Sequence, residues 1–144
     1  MNLIKNIRET AKKVLLNEAQ AIEKLCQFID QDFESAVSAI LSCKGRVVVS
    51  GIGKSAVVAS KITATLNSTG TLAIYMHAAD AIHGDLGMIR EEDIVLLLSK
   101  SGNTPEIKVL IPLVKRAGCK LIGMVSSLES DLARQADFVL NASI

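Results

Sequence analysis

Two short segments carry residue types that could hold an anion and act on it. Gly51-Ile52-Gly53-Lys54-Ser55 follows the apolar run Arg46-Val47-Val48-Val49-Ser50, and Ser99-Lys100-Ser101-Gly102-Asn103-Thr104 follows Asp93–Leu98. Each is a small-residue, hydroxyl-bearing turn where a strand gives way to a helix. Backbone amides at a helix start lack intrahelical partners and lie at the positive end of the helix dipole, so the place favours an anion. Two such turns on neighbouring strands suit a phosphorylated small molecule. In the second turn, Ser99, Ser101 and Thr104 around Gly102 supply three hydroxyls for a phosphate's three terminal oxygens. The same residues also read as a Thr104 N-cap with serines filling a tight turn.

Three side chains could do chemistry there. Lys54 stands in the first turn of a helix, an unfavourable place for a cation unless it meets an anion or a developing oxyanion. Glu106 follows Pro105 at the next helix start, where it either complements the dipole or serves as a base. His83 sits in Ala79-Asp80-Ala81-Ile82-His83-Gly84-Asp85-Leu86-Gly87-Met88, a segment whose glycines allow close approach to a ligand. It reads equally as a hydrogen-bonded structural histidine.

Other chemistries fit less well. Gly51-Ile52-Gly53-Lys54-Ser55-Ala56 matches the loose dinucleotide fingerprint, but the next strand ends Tyr75-Met76-His77 without the acid that would hold ribose hydroxyls. A triphosphate loop needs glycine five positions before Gly53, where Val48 stands. His77, Asp80, His83 and Asp85 match no tight metal spacing, so no metal is expected. Cys26, Cys43 and Cys119 are scattered, which suits a reducing cytoplasm and neither a metal site nor a nucleophile.

The elements that must position these residues follow from the apolar pattern. At 144 residues and 49% hydrophobic, with few aromatics, the chain can bury one core of Leu, Ile, Val and Ala. A net charge of +1 without a basic run argues against nucleic acid. The longest unbroken apolar runs, Leu72–Met76 and Ile94–Leu98, are far too short to cross a bilayer, and Met1–Lys5 lacks a signal-peptide layout.

Residues 3–29 read as one long helix with two apolar stripes, Ile4, Ile7, Ala11, Val14, Ala21, Leu25 and Phe28 beside Leu15, Ala19, Ile22, Cys26 and Ile29. A helix apolar on two sides is expected to pack partly on its own domain and partly on another subunit. Asp32 is expected to cap a second helix through Leu41. From Arg46 onward strands and helices alternate: strands over 46–50, 72–76, 93–98, 120–125 and 138–140, helices over 54–68, 104–117 and 131–135, and a loop over 77–88. Continuously apolar strands alternating with helices predict a doubly wound parallel α/β sheet, covered on both faces. Ligands of such sheets bind beyond the strands' carboxyl ends, near the switch in strand order. Residues 1–45 form a helical segment in this reading and 46–144 the core.

With Asn67-Ser68-Thr69-Gly70-Thr71 and His83-Gly84-Asp85-Leu86-Gly87-Met88 added to the two turns, the chain resembles the sugar isomerase (SIS) domain family, and within it the D-arabinose-5-phosphate isomerases. The Ser-x-Ser-Gly turn marks the broad superfamily; His-Gly-Asp-Leu-Gly-Met with Gly-x-Gly-Lys-Ser is more specific. The resemblance implies a three-layer, flavodoxin-like fold and interconversion of D-ribulose 5-phosphate with D-arabinose 5-phosphate through an enediol. It also implies supply of an eight-carbon acid sugar (Kdo) for lipopolysaccharide or capsule, a homotetramer and no cofactor. It places Lys54, His83 and Glu106 on catalytic positions, and Ser50, Gly51, Gly53, Ser55, Ser99, Ser101, Gly102 and Thr104 on substrate- and phosphate-binding ones. The family's domain normally continues past a position equivalent to Ile144, with a further acidic catalytic position and a later histidine. A rival reading is a phosphosugar-sensing module without turnover. Such a module has no need of Lys54, His83 and Glu106 together, and the first 45 residues lack a basic helix-turn-helix.

Overall fold

A computed structural model describes residues 3–144, with side chains from residue 6 onward; that of Ile4, the first stripe position, and residues Met1 and Asn2 lie outside it. Five strands form one sheet: β1 (Val47–Gly51), β2 (Ala73–His77), β3 (Ile94–Leu98), β4 (Lys120–Val125) and β5 (Phe138–Asn141). Their order is β2-β1-β3-β4-β5, and every pairing is parallel. The expected doubly wound sheet is therefore present.

Strand side chains alternate between faces, which sorts the apolar run into two cores. Val47, Val49, Ile94, Leu96, Leu98 and Ile122 face α2 (Gln31–Leu41) and α3 (Lys54–Ser68). Val48, Val95, Leu97, Leu121 and Val125 face α4 (Ala78–Ile82), α5 (Pro105–Arg116) and α6 (Asp131–Gln135). Helices thus cover both faces, giving three layers.

The amino end differs from the sequence reading in two places. The first helix, α1 (Leu3–Leu25), stops short of residue 29 and gives way to a 3-10 turn, Cys26–Phe28. Ile29 and Asp30 are extended, and Asp30, not Asp32, caps α2: its carboxylate accepts from the Phe33 amide at 3.1 Å. Asp32 lies inside the first turn and accepts from the Val139 amide at 3.0 Å, tying α2 to β5. Along the described part of α1, Ile7, Val14, Leu15, Leu16 and Ile22 are exposed, and only Ala21 and Leu25 are half-covered.

The expected loop over 77–88 contains α4 and a 3-10 turn, Asp85–Met88. Ala78 and Ala81, one helical turn apart, are both buried against the α5 face. Small residues at that spacing let the return path lie close to the sheet.

One buried ion pair fastens the end of this segment. Asp93 is 2% exposed; its Oδ1 accepts from the Arg46 backbone and Nε, and its Oδ2 accepts from Arg46 Nη2 at 2.7 Å and the Arg90 amide at 2.9 Å. Arg46 Nη2 also donates to the Met88 carbonyl at 2.7 Å.

Candidate functional site

β1 and β3 are adjacent, with Gly51 beside Leu98, and the chain leaves them toward opposite faces of the sheet. Their carboxyl ends therefore open a crevice between α3 and α5, as expected at a reversal of strand order. The crevice has two lobes sharing Ser55, Ser99, Lys100 and Ser126. One, about 490 Å³, is lined mainly by hydroxyl-bearing residues, Ser55, Ser99, Ser101, Thr104, Ser126 and Ser127. The other, about 340 Å³, receives Lys54 beside Val58, Leu98 and Met124.

The first turn reaches the crevice through glycine. Gly51 lies so close to α3 that a Cβ there would stand 2.9 Å from the Ser55 carbonyl carbon. Gly53 takes the N-cap position of α3 at φ +58°, with no side chain to cap the helix. The amides of Gly53 and Lys54 make no hydrogen bond among the described residues. The Ser50 hydroxyl, at the end of β1, is wholly buried and has no partner among the described residues.

The second turn is held by its own serines. Ser99 Oγ accepts from the Gly102 amide at 3.0 Å, and Ser101 Oγ accepts from the Asn103 amide at 3.3 Å. Because both oxygens accept, both hydroxyl protons stay free to donate outward. Thr104 occupies the N-cap position of α5, but its side chain makes no capping bond and Thr104 Oγ1 is buried without a partner. Of the two readings of Thr104, side-chain capping is not what the structure shows. A buried hydroxyl without a partner costs about 1–3 kcal/mol, and this one borders the hydroxyl-rich lobe.

Gly102 fixes the turn against α6. Its φ is +65°, and a Cβ there would collide with Ser130 Oγ and stand 2.5 Å from Ser130 Cβ. Ser130 is the fully buried N-cap of α6, accepting from the Ala133 amide at 3.2 Å. Gly102→Ala combines left-handed strain with overpacking. It is expected to destabilise the fold by about 2 kcal/mol, read as a lower urea midpoint; an unchanged midpoint would contradict this packing.

The structure thus brings Lys54, Ser55, Ser99, Ser101 and Thr104 together at one cleft, with Ser50, Gly51, Gly53 and Gly102 shaping the strand ends behind it. Glu106 is half-buried in the first turn of α5, two residues past Thr104, and does not line either lobe. His83 ends α4, is exposed, and precedes Gly84 at φ +143°. It also stands outside the cleft's wall, although α4 packs on α5.

Sequence reasoning overlooked Lys100, Ser126 and Ser127. The two serines follow β4 as Ser99 follows β3, but no glycine marks that third strand end. Ser126 Oγ donates to the Ala142 carbonyl at 2.9 Å, holding β4 to the segment after β5.

Among the described residues, no group of three or more His, Cys, Asp or Glu side chains is placed to hold a metal ion. His77 Nδ1 lies 3.8 Å from Asp80 Oδ2. Burial pushes the Cys119 thiol up to about 11, with the charges of Asp93, Glu91 and Glu92 adding to it, so Cys119 is not a thiolate at neutral pH. No helix among the described residues is long and apolar enough to cross a membrane.

The chain is similar to known proteins over most of its length. Arabinose 5-phosphate isomerase KdsD of Pseudomonas aeruginosa is 47% identical over 146 residues, covering 100% of this chain and 45% of the relative. KdsD of Escherichia coli K12 is 42% identical over 132 residues, covering 92% of this chain and 40% of the relative. The chain therefore spans less than half the length of these curated relatives. Among solved structures, the E. coli CFT073 protein c3406 in complex with arabinose 5-phosphate superposes with a TM-score of 0.91 at 36% identity, covering 97% of this chain and 74% of that one. The sequence profile of the SIS domain matches residues 40–144, so the chain belongs to the SIS domain family.

Proposed function

We propose that this chain is the phosphosugar-binding core of an aldose–ketose isomerase that interconverts D-ribulose 5-phosphate and D-arabinose 5-phosphate. The observation that carries the reading is the buried, unpartnered Thr104 hydroxyl at a strand-end cleft lined by further serines and Lys54, with the unpartnered Ser50 hydroxyl behind it. A phosphate supplies acceptors to such donors and lies at two helix starts. The isomerase names of the relatives and the sugar phosphate bound by the solved neighbour favour this class of ligand.

The chemistry then follows from the substrate. A proton leaves C1 of the ketose, an enediolate forms, and a proton returns at C2 to give the aldose. Substrate and product are isomers, so the balance needs no redox partner or cofactor. The Ser99–Thr104 turn anchors the phosphate and sets the register of the carbons. Lys54 stabilises the oxyanion. Although neither lines the cleft wall in the single chain, the reading assigns the carbon-bound proton to Glu106, two residues past Thr104, and ring opening or transfer of a hydroxyl proton to His83.

Assembly belongs to the same reading. Residues 1–45 act as an oligomerising segment, with the exposed apolar side chains of α1 docking on further copies, and 46–144 as the phosphosugar core. A cytoplasmic homotetramer feeding Kdo, lipopolysaccharide or capsule synthesis is the setting the family resemblance implies.

The test is to incubate the chain with D-ribulose 5-phosphate in D2O and follow the sugar by NMR. Formation of D-arabinose 5-phosphate with deuterium at C2 is expected. Saturable binding without turnover would instead make this a phosphosugar-sensing module. Absence of binding would remove the proposal altogether.

A further inference from the structure

Lys100 lies between the two serines that hold the second turn, and its residue borders both lobes of the cleft. Its carbonyl accepts from the Ser126 amide at 3.0 Å, which pins its backbone to the end of β4. Its side chain is exposed and has no ion-pair partner among the described residues; the same holds for Lys54. Among the described residues, no Asp or Glu lines either lobe.

Two lysine residues therefore line one cleft where the starts of α3 and α5 already carry positive partial charge. Like charges gathered at positive helix ends oppose one another unless an anion stands between them. Lys108, also solvated, has a closer counter-charge: its Nζ is 2.9 Å from Asp131 Oδ2.

We infer that Lys100 is a second cation of the phosphate site, contributing affinity for the phosphorylated end of the substrate by charge rather than by shape. The inference rests on the phosphosugar reading of the cleft and adds to it a residue that sets how much of the affinity is electrostatic. The hydroxyls of Ser99, Ser101 and Thr104 give directional bonds. A lysine on a flexible stem adds a point charge, whose effect grows with ligand charge and is screened by salt.

The experiment compares the unchanged chain with Lys100→Gln and Lys100→Arg. Each is titrated calorimetrically with D-arabinose 5-phosphate and with unphosphorylated D-arabinose, at low and at physiological ionic strength. Thermal melts check that all three fold alike, as an exposed position predicts. Lys100→Gln is expected to weaken D-arabinose 5-phosphate binding by about tenfold at low salt and to reduce its salt dependence. Lys100→Arg is expected to retain most of the affinity and the salt dependence. Any D-arabinose binding should be the same in all three. Equal affinity and salt dependence of Lys100→Gln and the unchanged chain would overturn the inference. So would equal weakening by glutamine and arginine, which would point to turn geometry instead of charge. Failure of the unchanged chain to bind D-arabinose 5-phosphate would be a separate result, and would overturn the phosphosugar reading itself.

Discussion

Glu106→Gln is expected to lower the rate of ketose–aldose interconversion by about 10²–10⁴-fold, the usual contribution of a positioned proton carrier. KM is expected to stay within a few-fold of its original value. The substitution keeps the shape of the side chain and removes its capacity to take a proton from carbon. The proposed phosphate anchors, Ser99, Ser101 and Thr104, are on the preceding turn and remain in place. A loss confined to kcat, with kcat/KM falling equally, marks an interaction made only in the transition state. If Glu106 only complements the dipole of α5, the change would cost about 0.3–1 kcal/mol of stability and leave turnover intact. Steady-state NMR assays of the two proteins, with their melts, separate these outcomes. Full activity in Glu106→Gln would remove Glu106 from the chemistry.

The second large effect concerns the far end of the sheet. Asp93→Ala is expected to destabilise the chain by about 3 kcal/mol, the lower end for breaking a buried pair, because Arg46 is partly exposed and can recover some hydration. Arg46 would lose the acceptor of its Nε and one of the two acceptors of its Nη2, and the amides of Arg46 and Arg90 would lose their acceptor. The same change loosens the guanidinium that holds the Met88 carbonyl, at the end of the segment that begins with His83.

A pH dependence accompanies this pair. Burial alone would raise the Asp93 carboxyl, but side-chain and backbone hydrogen bonds from Arg46, the Arg90 amide and the Arg46 charge outweigh it and hold Asp93 below the usual carboxylate range. A depressed folded value contributes stability above the unfolded pKa of about 4. That contribution is lost as pH falls through the folded value. Urea midpoints measured from pH 7 downward are expected to converge for the unchanged chain and Asp93→Ala below about pH 4. A constant gap across that range would contradict the assignment.

Much of the fold was legible because its signals are short-range. The runs at Val47–Val49 and Ile94–Leu98 are apolar on both faces, which only a sheet covered twice can bury. Glycine and hydroxyl turns after them marked the strand ends that form the cleft. The misreadings share a different cause. Asp30 and Asp32 are chemically equal caps, and the choice was made by the extended backbone at Ile29 and Asp30, which composition does not encode. Helix α4 is five residues long and held by the burial of Ala78 and Ala81, a tertiary effect. Thr104 stands at an N-cap in sequence, yet its hydroxyl leaves the amides uncapped. Ser126 and Ser127 reach the cleft only because β3 and β4 end side by side, a fact of strand order rather than of spacing.

The most direct test of the cleft is residue-level mapping of ligand binding. In an amide NMR titration of the chain with D-arabinose 5-phosphate, the largest saturable shifts are expected at Gly51–Ser55 and Ser99–Thr104, with smaller ones at Ser126 and Ser127. The opposite end of the sheet offers a competing hollow lined by Lys44, Arg46 and Arg90 together with Glu92 and Asp93. Largest shifts there, or no saturable shifts at either turn, would contradict the account.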